Sequence, residues 1–379
     1  MTRKIFAGLA ARTEVMPLCW SEIANRYHVL AARELQNLRA PFSGGAAPSE
    51  QPERHGATRW DELLRLARSR PFNLKRQLQG TDAFLITDIF RDGRMRVLSQ
   101  TKRSGARMVA IFHDAAALSL PWLSQRGVKL FRDYLVSLGQ FDLVICVSHE
   151  SETDLHQRWK ELAVPLTTTC VEGWPIEFDE SLRSRDKVAQ ENLALCVGSL
   201  EPRKNHLALL KAADLLWESG LKFELNLVGQ TGSWGRKNVV PEIDRLRSSG
   251  RAVNWLRHVN EETLHRAYRE CRFTVYPSLK EGFALPILES LWHGRPCLCG
   301  RNGALGEAGA GGGCLFVDQQ DATAVAAGMK QLLEDEPLYA RLSADARQRT
   351  FRTWGDYIDK LQQHLRISPG RKTAPEKAK

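Results

Sequence analysis

From residue 190 onward, short apolar runs rich in β-branched residues alternate with longer stretches whose apolar positions recur at helical spacing. That rhythm is the pattern of a doubly wound parallel sheet. Leu193–Leu200 reads as a strand. After a polar loop, Asn205–Gly220 reads as a helix with Leu207, Leu210, Ala213 and Leu215 or Leu216 turned inward and Gly220 as its stop. Further strands are expected at Phe223–Gly229, Val253–Val259, Phe273–Pro277, Pro296–Cys299 and Cys314–Val317. Helices fit between them at 261–271, with Asn260 as N-cap, and at 286–293, with Pro286 at the first helical position and Gly294 past the end.

The first half carries the same rhythm in weaker form, with strands expected at Ala83–Thr87, Met108–His113 and Asp142–Ser148 and helices at 125–138 and 149–160. At the start, Ile5–Ala11 reads as a helix and Val15–Trp20 as a strand, so the strand and glycine-rich turn that open a Rossmann unit are not found. The expectation is either a start further upstream or a domain lacking part of its sheet edge. Residues 40–58, rich in Pro, Gly, Ser and Ala, read as a loop, and Cys170 to about Arg185 as a linker. With 379 residues, more than one hydrophobic core usually organises, two domains are expected. The division is an N-terminal Rossmann-like domain over 1–177, a C-terminal one over 178–352, a C-terminal helix over 353–367 packing back towards the first domain, and a disordered tail over 368–379.

Composition narrows the class. A hydrophobic share of 43% and a charged share of 26% exclude a largely disordered or fibrous chain. No apolar run reaches the roughly 18 residues that span a bilayer, and the first residues lack a signal-peptide core, so the expected protein is soluble and cytoplasmic. The eight cysteines include no Cys-x-x-Cys pair, which fits reduced, buried thiols. Cys297 and Cys299 alternate on a strand and read as packing rather than as a metal or redox site. The formal charge of +10 divides into +3 over residues 1–180 and +7 over the rest. Its sharpest cluster is Arg65, Arg68, Arg70, Lys75 and Arg76, interleaved with Leu63, Leu64, Leu66, Phe72, Leu74 and Leu78. Such a segment suits an anionic membrane surface or a solvated helix face. Aromatic interleaving is sparse, so nucleic acid is not an expected partner.

Three constellations carry chemistry. In Val275-Tyr-Pro-Ser-Leu-Lys-Glu281-Gly282-Phe283-Ala284-Leu285-Pro-Ile-Leu-Glu289, a strand ends, a loop carries Glu281 and Gly282, and a helix begins. Free N–H groups at a helix start attract phosphate and Gly282 permits close approach, whereas Glu281 suits ligand hydroxyls. The bland alternative is a dipole-stabilising Glu281 and an exposed i,i+4 pair of Glu289 with His293. In Val197-Gly198-Ser199-Leu-Glu-Pro-Arg203-Lys204-Asn205, two cations follow a strand and precede a helix, a place suited to a diphosphate. In Val109-Ala-Ile-Phe-His113-Asp114, His113 falls at the carboxyl edge of the first sheet.

Together, Gly198–Asn205, Leu227–Gly229, Val253–Tyr268, Ser278–Leu291 and Gly303–Asp318 resemble retaining glycosyltransferases of group 1, family 4, over nearly all of 190–355. Glu281 and Glu289 have that family's Glu-x7-Glu spacing, and Glu201-Pro-Arg-Lys-Asn205 is similar to its mannosyltransferase-like members. The resemblance implies the GT-B fold, two Rossmann-like doubly wound domains facing across a cleft. It places Arg203 and Lys204 on the donor diphosphate, with Gly198 and Ser199 beside them. Glu281 then contacts the donor sugar with the N–H groups of Phe283, Ala284 and Leu285, and Glu289 the ribose. Leu256, Arg257 and His258 flank the base, and His113 reaches the sugar from the other domain. Many members have an Arg directly after the glycine, where this chain has Ser199.

The activity implied is transfer of a hexose, with mannose suggested by the Pro-Arg-Lys motif, from a GDP- or UDP-sugar with retention of configuration. The implied acceptor is a lipid-linked or lipopolysaccharide glycan at the inner face of the cytoplasmic membrane. No cofactor is expected and no metal, since Asp-x-Asp does not occur. The alternative is a catalytically impaired sugar-nucleotide or glycan-binding scaffold of the same fold.

Overall fold

The structure, a computed structural model, describes residues 1–30, 32–39, 70–72, 78, 80–90, 92–98, 105–119, 124–183 and 192–366. Two compact units emerge, one of Met1–Pro175 with Arg352–Lys379, the other of Ile176–Phe351. Of the basic cluster near residue 70, only Arg70 itself, exposed, lies among the described residues. No helix among them is long and apolar enough to cross a membrane.

The first unit opens with helix α1 (Thr2–Ala10) and an antiparallel hairpin of β1 (Leu18–Ser21) and β2 (Arg26–Val29). Its main sheet is parallel, in the order β3 (Ala83–Ile86), β4 (Arg107–Phe112), β5 (Leu143–Cys146), β6 (Thr169–Val171). The order therefore runs without reversal among the described strands. Helix α2 (Gln125–Leu138) starts where the Ser124 hydroxyl accepts from the Gly127 N–H, and α3 (His149–Glu161) where Ser148 accepts from Ser151. Trp159 of α3 is fully buried and donates to the Leu135 carbonyl at 2.8 Å, which fixes α3 on α2. The C-terminal helix, Trp354–Leu365, begins with a Thr353–Asp356 capping box. It lies so close to α1 that a Cβ at Gly8 would stand 2.5 Å from Ile358 Cγ1.

The second unit is one six-stranded parallel sheet in the order β12-β11-β10-β7-β8-β9, built from β7 (Leu193–Val197), β8 (Glu224–Val228), β9 (Val253–Leu256), β10 (Phe273–Tyr276), β11 (Cys297–Cys299) and β12 (Cys314–Phe316). The chain enters at the centre, builds outward to β9, then crosses back to lay β10 on the other side of β7. The carboxyl ends of β7 and β10 thus flank a topological switch point, where open α/β sheets hold their ligands. Between the strands run α4 (His206–Glu218), α5 (Val240–Ser248), α6 (Glu261–Glu270), α7 (Leu285–Trp292), α8 (Gly303–Gly309), α9 (Ala322–Glu334) and α10 (Glu336–Gln348).

Several strands stop short of their expected carboxyl ends, because residues there leave the ladder to build loops. Leu200 rejoins only through an isolated bridge to Thr231. Helix α7 starts at Leu285, one residue before the expected Pro286, with Ala284 as its N-cap. In α4 the inward face is also corrected. Leu209, Leu210, Ala213 and Leu216 are buried, while Leu207 and Leu215 are each 39% exposed. The helix is apolar nearly all round, so periodicity alone left its rotation undetermined. Leu210→Ala is expected to cost ~2–5 kcal/mol by removing packed methyl groups, and Leu207→Ala about 0.5 kcal/mol or less. The urea midpoint of the second unit's transition measures the difference.

Candidate active site

At the switch point, the loops after β7 and β10 are joined by their backbones. Leu279 N–H donates to the Arg203 carbonyl at 2.8 Å, and Ser278 Oγ lies 3.0 Å from the same oxygen. On the other side of β7, the end of β8 must be glycine: Gly229 has φ +152°, and a Cβ there would stand 2.1 Å from the Gly198 carbonyl oxygen. Gly198 itself borders the Lys204 side chain at ordinary contact distance, with 3.6 Å between an added Cβ and Lys204 Cδ. Ser199 turns its hydroxyl onto Glu201, donating to Oε1 at 2.7 Å.

Within this frame Glu281, only 8% exposed, collects a ring of donors. Its Oε2 accepts from Arg203 Nη1 at 2.6 Å. Its Oε1 accepts from Lys204 Nζ at 2.6 Å, the Tyr276 hydroxyl at 2.8 Å and Ser278 Oγ at 2.5 Å. Lys204 also donates to the Tyr276 hydroxyl oxygen and sits 4.9 Å from the centre of its ring. Burial alone would raise the Glu281 pKa, but Lys204, Arg203 and the Ser278 hydroxyl outweigh it and hold the carboxyl below the usual range. For Lys204, burial lowers the pKa, Glu281 opposes, and Arg203 adds to the lowering. In Arg203 the depressing effect of burial is outweighed by Glu281.

The three residues singled out in sequence, Arg203, Lys204 and Glu281, are therefore one cluster in which both cations are paired to the carboxylate. Tyr276 and Ser278, which complete it, were not singled out. Tyr276 reads as a strand residue and Ser278 as a turn residue, and only their distance to Glu281 reveals the role. Asn205 has φ 54° and spends its side-chain amide on the Gln319 carbonyl at 2.6 Å, rather than on capping α4. Gln319 in turn donates to Asn302, and Asn302 to the Leu279 carbonyl at 3.0 Å, so amides tie together the loops after β7, β10, β11 and β12.

The entry to α7 is similarly bent: Ala284, buried, has φ 60° and offers no side-chain cap. Gly282 is buried and Phe283 half-buried on this loop, directly before Ala284 and Leu285. From α7, Glu289 Oε2 accepts from the Tyr268 hydroxyl at 2.8 Å. Its pKa is raised by burial, with the Tyr268 bond opposing. At the far edge of the same rim, Leu256 ends β9, Arg257 and His258 follow it, and all three are exposed. Arg257 lies over the Trp255 ring at 4.9 Å, and His258 Nδ1 is 3.1 Å from the Gln230 amide that follows β8.

His113 belongs to the first unit, at the carboxyl end of β4. Its Nε2 donates to the Thr87 carbonyl oxygen at 2.8 Å. The ring stacks on Trp174, with centroids 5.6 Å apart, and Trp174 rests on Tyr357 of the C-terminal helix at 5.4 Å. Asp114 is occupied in a local turn, accepting from the Ala116 N–H at 3.0 Å.

Removing the charge of Glu281 leaves two cations facing each other. Glu281→Gln is expected to destabilise the second unit by ~3–5 kcal/mol at pH 7. The folded pKa of Glu281 is depressed, so its stabilising contribution is present above the unfolded value of about 4 and is lost as pH falls through the folded value. Thermal melts should therefore show a gap between wild type and Glu281→Gln at neutral pH that closes on acidification below that range.

Residues 177–349 match the family described as glycosyl transferases group 1. The O-antigen chain mannosyltransferase B of Escherichia coli is 31% identical over 239 residues, covering 61% of this chain and 62% of that protein. The serotype-specific mannosyltransferase WbdA of the same species is 27% identical over 213 residues, covering 51% of this chain and 26% of its own length. The chain thus spans less than two thirds of these relatives. Among solved structures, sucrose-phosphate synthase from Thermosynechococcus elongatus superposes with a TM-score of 0.61 at 20% identity, covering 74% of this chain and 73% of that one. Anabaena HepE in complex with UDP and glucose gives a TM-score of 0.62 at 18% identity, covering 77% and 81%. Residues 177–349 are thus similar to the group 1 glycosyltransferases, and the fold is GT-B.

Proposed function

We propose that this protein is a retaining hexosyltransferase, with mannose the first donor sugar to test, that uses a GDP- or UDP-sugar to extend a lipid-linked or lipopolysaccharide glycan. The observation that carries the reading is the Arg203–Lys204–Glu281 cluster at the switch point of the second sheet. The names of the mannosyltransferase relatives support the sugar and the acceptor class.

In this reading a nucleoside diphosphate sugar lies along the carboxyl rim of the second unit. Its base sits at Leu256, Arg257 and His258, its ribose at Glu289, and its diphosphate at Gly198, Ser199, Arg203 and Lys204. Arg203 and Lys204 gain most from the charge that grows on the departing diphosphate, so they stabilise the transition state more than the ground state. They supply the positive charge that the proposal would otherwise need from a metal. Glu281, whose two oxygens already order both cations, accepts hydrogen bonds from sugar hydroxyls. Backbone N–H groups of Phe283 and Leu285, around the bent Ala284, face the sugar and phosphate. Transfer is front-face through an oxocarbenium-like state: the bond from the anomeric carbon to phosphate breaks, the acceptor oxygen attacks the same face, and its proton passes to the leaving phosphate oxygen. Protein exclusion of water protects the donor from hydrolysis. The work site is the cytoplasmic face of the inner membrane, with the basic cluster at 65–76 as its contact.

Release of nucleoside diphosphate from a panel of GDP- and UDP-sugars, with lipid-linked acceptors, tests the proposal. Wild type is expected to turn over one donor, while Glu281→Ala and Arg203→Ala lose ~10²–10³ in kcat. NMR of the product should show the donor's anomeric configuration. Donor binding without turnover would overturn the transferase reading in favour of a sugar-nucleotide-binding scaffold, and an inverted product would overturn the mechanism.

A further inference from the structure

Behind Glu289 lies a buried stack of a phenol and two imidazoles that the proposed chemistry does not use. Tyr268 comes from α6 and is 1% exposed; its hydroxyl donates to Glu289 Oε2 across 2.8 Å. The Tyr268 ring lies nearly flat on the imidazole of His293, with centroids 5.3 Å apart and planes 11° apart. His293 closes α7, and its Nε2 is 2.9 Å from Nδ1 of His265. His265 precedes Tyr268 by one turn of α6, and Glu289 precedes His293 by one turn of α7. The two helices are therefore stitched twice, phenol to carboxylate and imidazole to imidazole. Phe178 closes the stack, meeting His265 edge-on at 4.7 Å and Trp292 at 5.1 Å.

The charges around the stack favour this arrangement. Burial, together with His265, Arg269, Arg295 and Arg183, pushes the His293 pKa down to about 3. Burial also lowers that of His265, with Glu261 opposing and Arg269 adding to the lowering. Near neutral pH the pair is uncharged and shares a single N–H between the facing nitrogens. Glu289 faces Tyr268 as its hydrogen-bond donor, with Glu261 on α6 disfavouring its charge and Lys204 favouring it. Burial and Glu289 both hold the Tyr268 phenol protonated, so it can act towards Glu289 only as a donor.

We propose that Tyr268 positions the Glu289 carboxylate for a pair of ligand hydroxyls, and that the His265–His293 pair fixes the Tyr268 ring in that place. The inference rests on the reading of Glu289 as the ribose contact. With Oε2 committed to the phenol, Oε1 has no protein donor among the described residues and faces the ligand as an acceptor. Two neighbouring ribose hydroxyls match the acceptor capacity that remains. Without the phenol the carboxylate is free to turn, and it takes up a proton at higher pH.

Tyr268→Phe retains the packed ring and removes only the O–H. Calorimetric titration with GDP and UDP is expected to show affinity about tenfold weaker than wild type, with the weakening absent for the 2′,3′-dideoxy nucleotides. In turnover, donor KM rises and kcat stays near wild type. His293→Ala should bring a similar loss, and the double variant no further loss, since both act through one contact. A second readout needs no ligand: the carbon-13 titration of the Glu289 carboxyl should move up by about one pH unit in Tyr268→Phe. An unmoved Glu289 titration, or equal weakening for ribo and dideoxy nucleotides, overturns the positioning role. If wild type binds neither nucleotide, the ribose reading and the ligand part of this proposal fall together, while the Glu289 titration still decides whether Tyr268 holds the carboxylate.

Discussion

The buried carboxylate of Glu281 is the constraint on which the carboxyl rim of the second unit depends. An ionised carboxyl this far from water carries a desolvation penalty of several kcal/mol unless its lone pairs are filled. Here two cations and two hydroxyls offset that penalty, three donors on Oε1 and one on Oε2. That requirement explains local choices along the chain. Tyr276 must end a buried strand with its hydroxyl pointing to the rim, and Ser278 must turn back towards the β7 loop. The Arg203 carbonyl must lie open to Leu279, whose backbone N–H joins the two loops there. Buried ion pairs seldom add net stability over well-packed apolar residues of the same shape. One kept at the carboxyl edge of the sheet, where open α/β sheets hold their ligands, is therefore more economically explained by what the charges do than by how they hold the fold.

The same rim contains two helix starts in the left-handed region, Asn205 and Ala284, neither of them glycine. Conformations of this kind cost ~1–3 kcal/mol each and persist where surrounding structure over-determines them. For Asn205 the surroundings are the Gln319 carbonyl and, beyond it, the amide chain through Asn302 to Leu279. For Ala284 they are burial and the Pro286 ring that follows at the start of α7. In both cases the helix begins without a side-chain cap on its first turn. The strain and the missing caps are two aspects of one arrangement.

The alternation of apolar runs and amphipathic stretches was enough to find every strand of the second sheet, because buried parallel strands are short, continuous and flanked by turn residues. Helix ends were legible where a cap has chemical identity, as at Asn260 and Gly294, and less so at α7, where Ala284 has none. The rotation of α4 was not legible, since Leu207 and Leu215 are as apolar as the residues that face inward. Arg203, Lys204, Glu281 and Glu289 stood out through their spacing from strand ends. Their partners did not: Tyr276 lies 72 residues from Lys204, and Glu281 77 residues from it, so pairing across the switch point exists only in three dimensions. Nothing in the sequence marks Tyr268 and His265 beyond their place in the helix expected over 261–271, where both turn out to be buried.

Glu281 and Glu289 show how one loop and the helix after it separate two chemically identical groups. Both carboxyls are withdrawn from water, which by itself raises both pKa values. Glu281 meets two cations and two hydroxyls and is driven the other way. Glu289 meets a single phenol, with Lys204 too weak an influence to reverse the effect of burial. The first is therefore a fixed charge that orders its neighbours, while the second stays responsive to its one donor. Divergent pKa values at neighbouring carboxyls are a general mark of divided roles in a site. Here the division follows directly from topology. Glu281 sits on the loop beside β7, where the chain can deliver Arg203 and Lys204, whereas Glu289 lies on α7 against α6, where it meets the stack of Tyr268, His293 and His265.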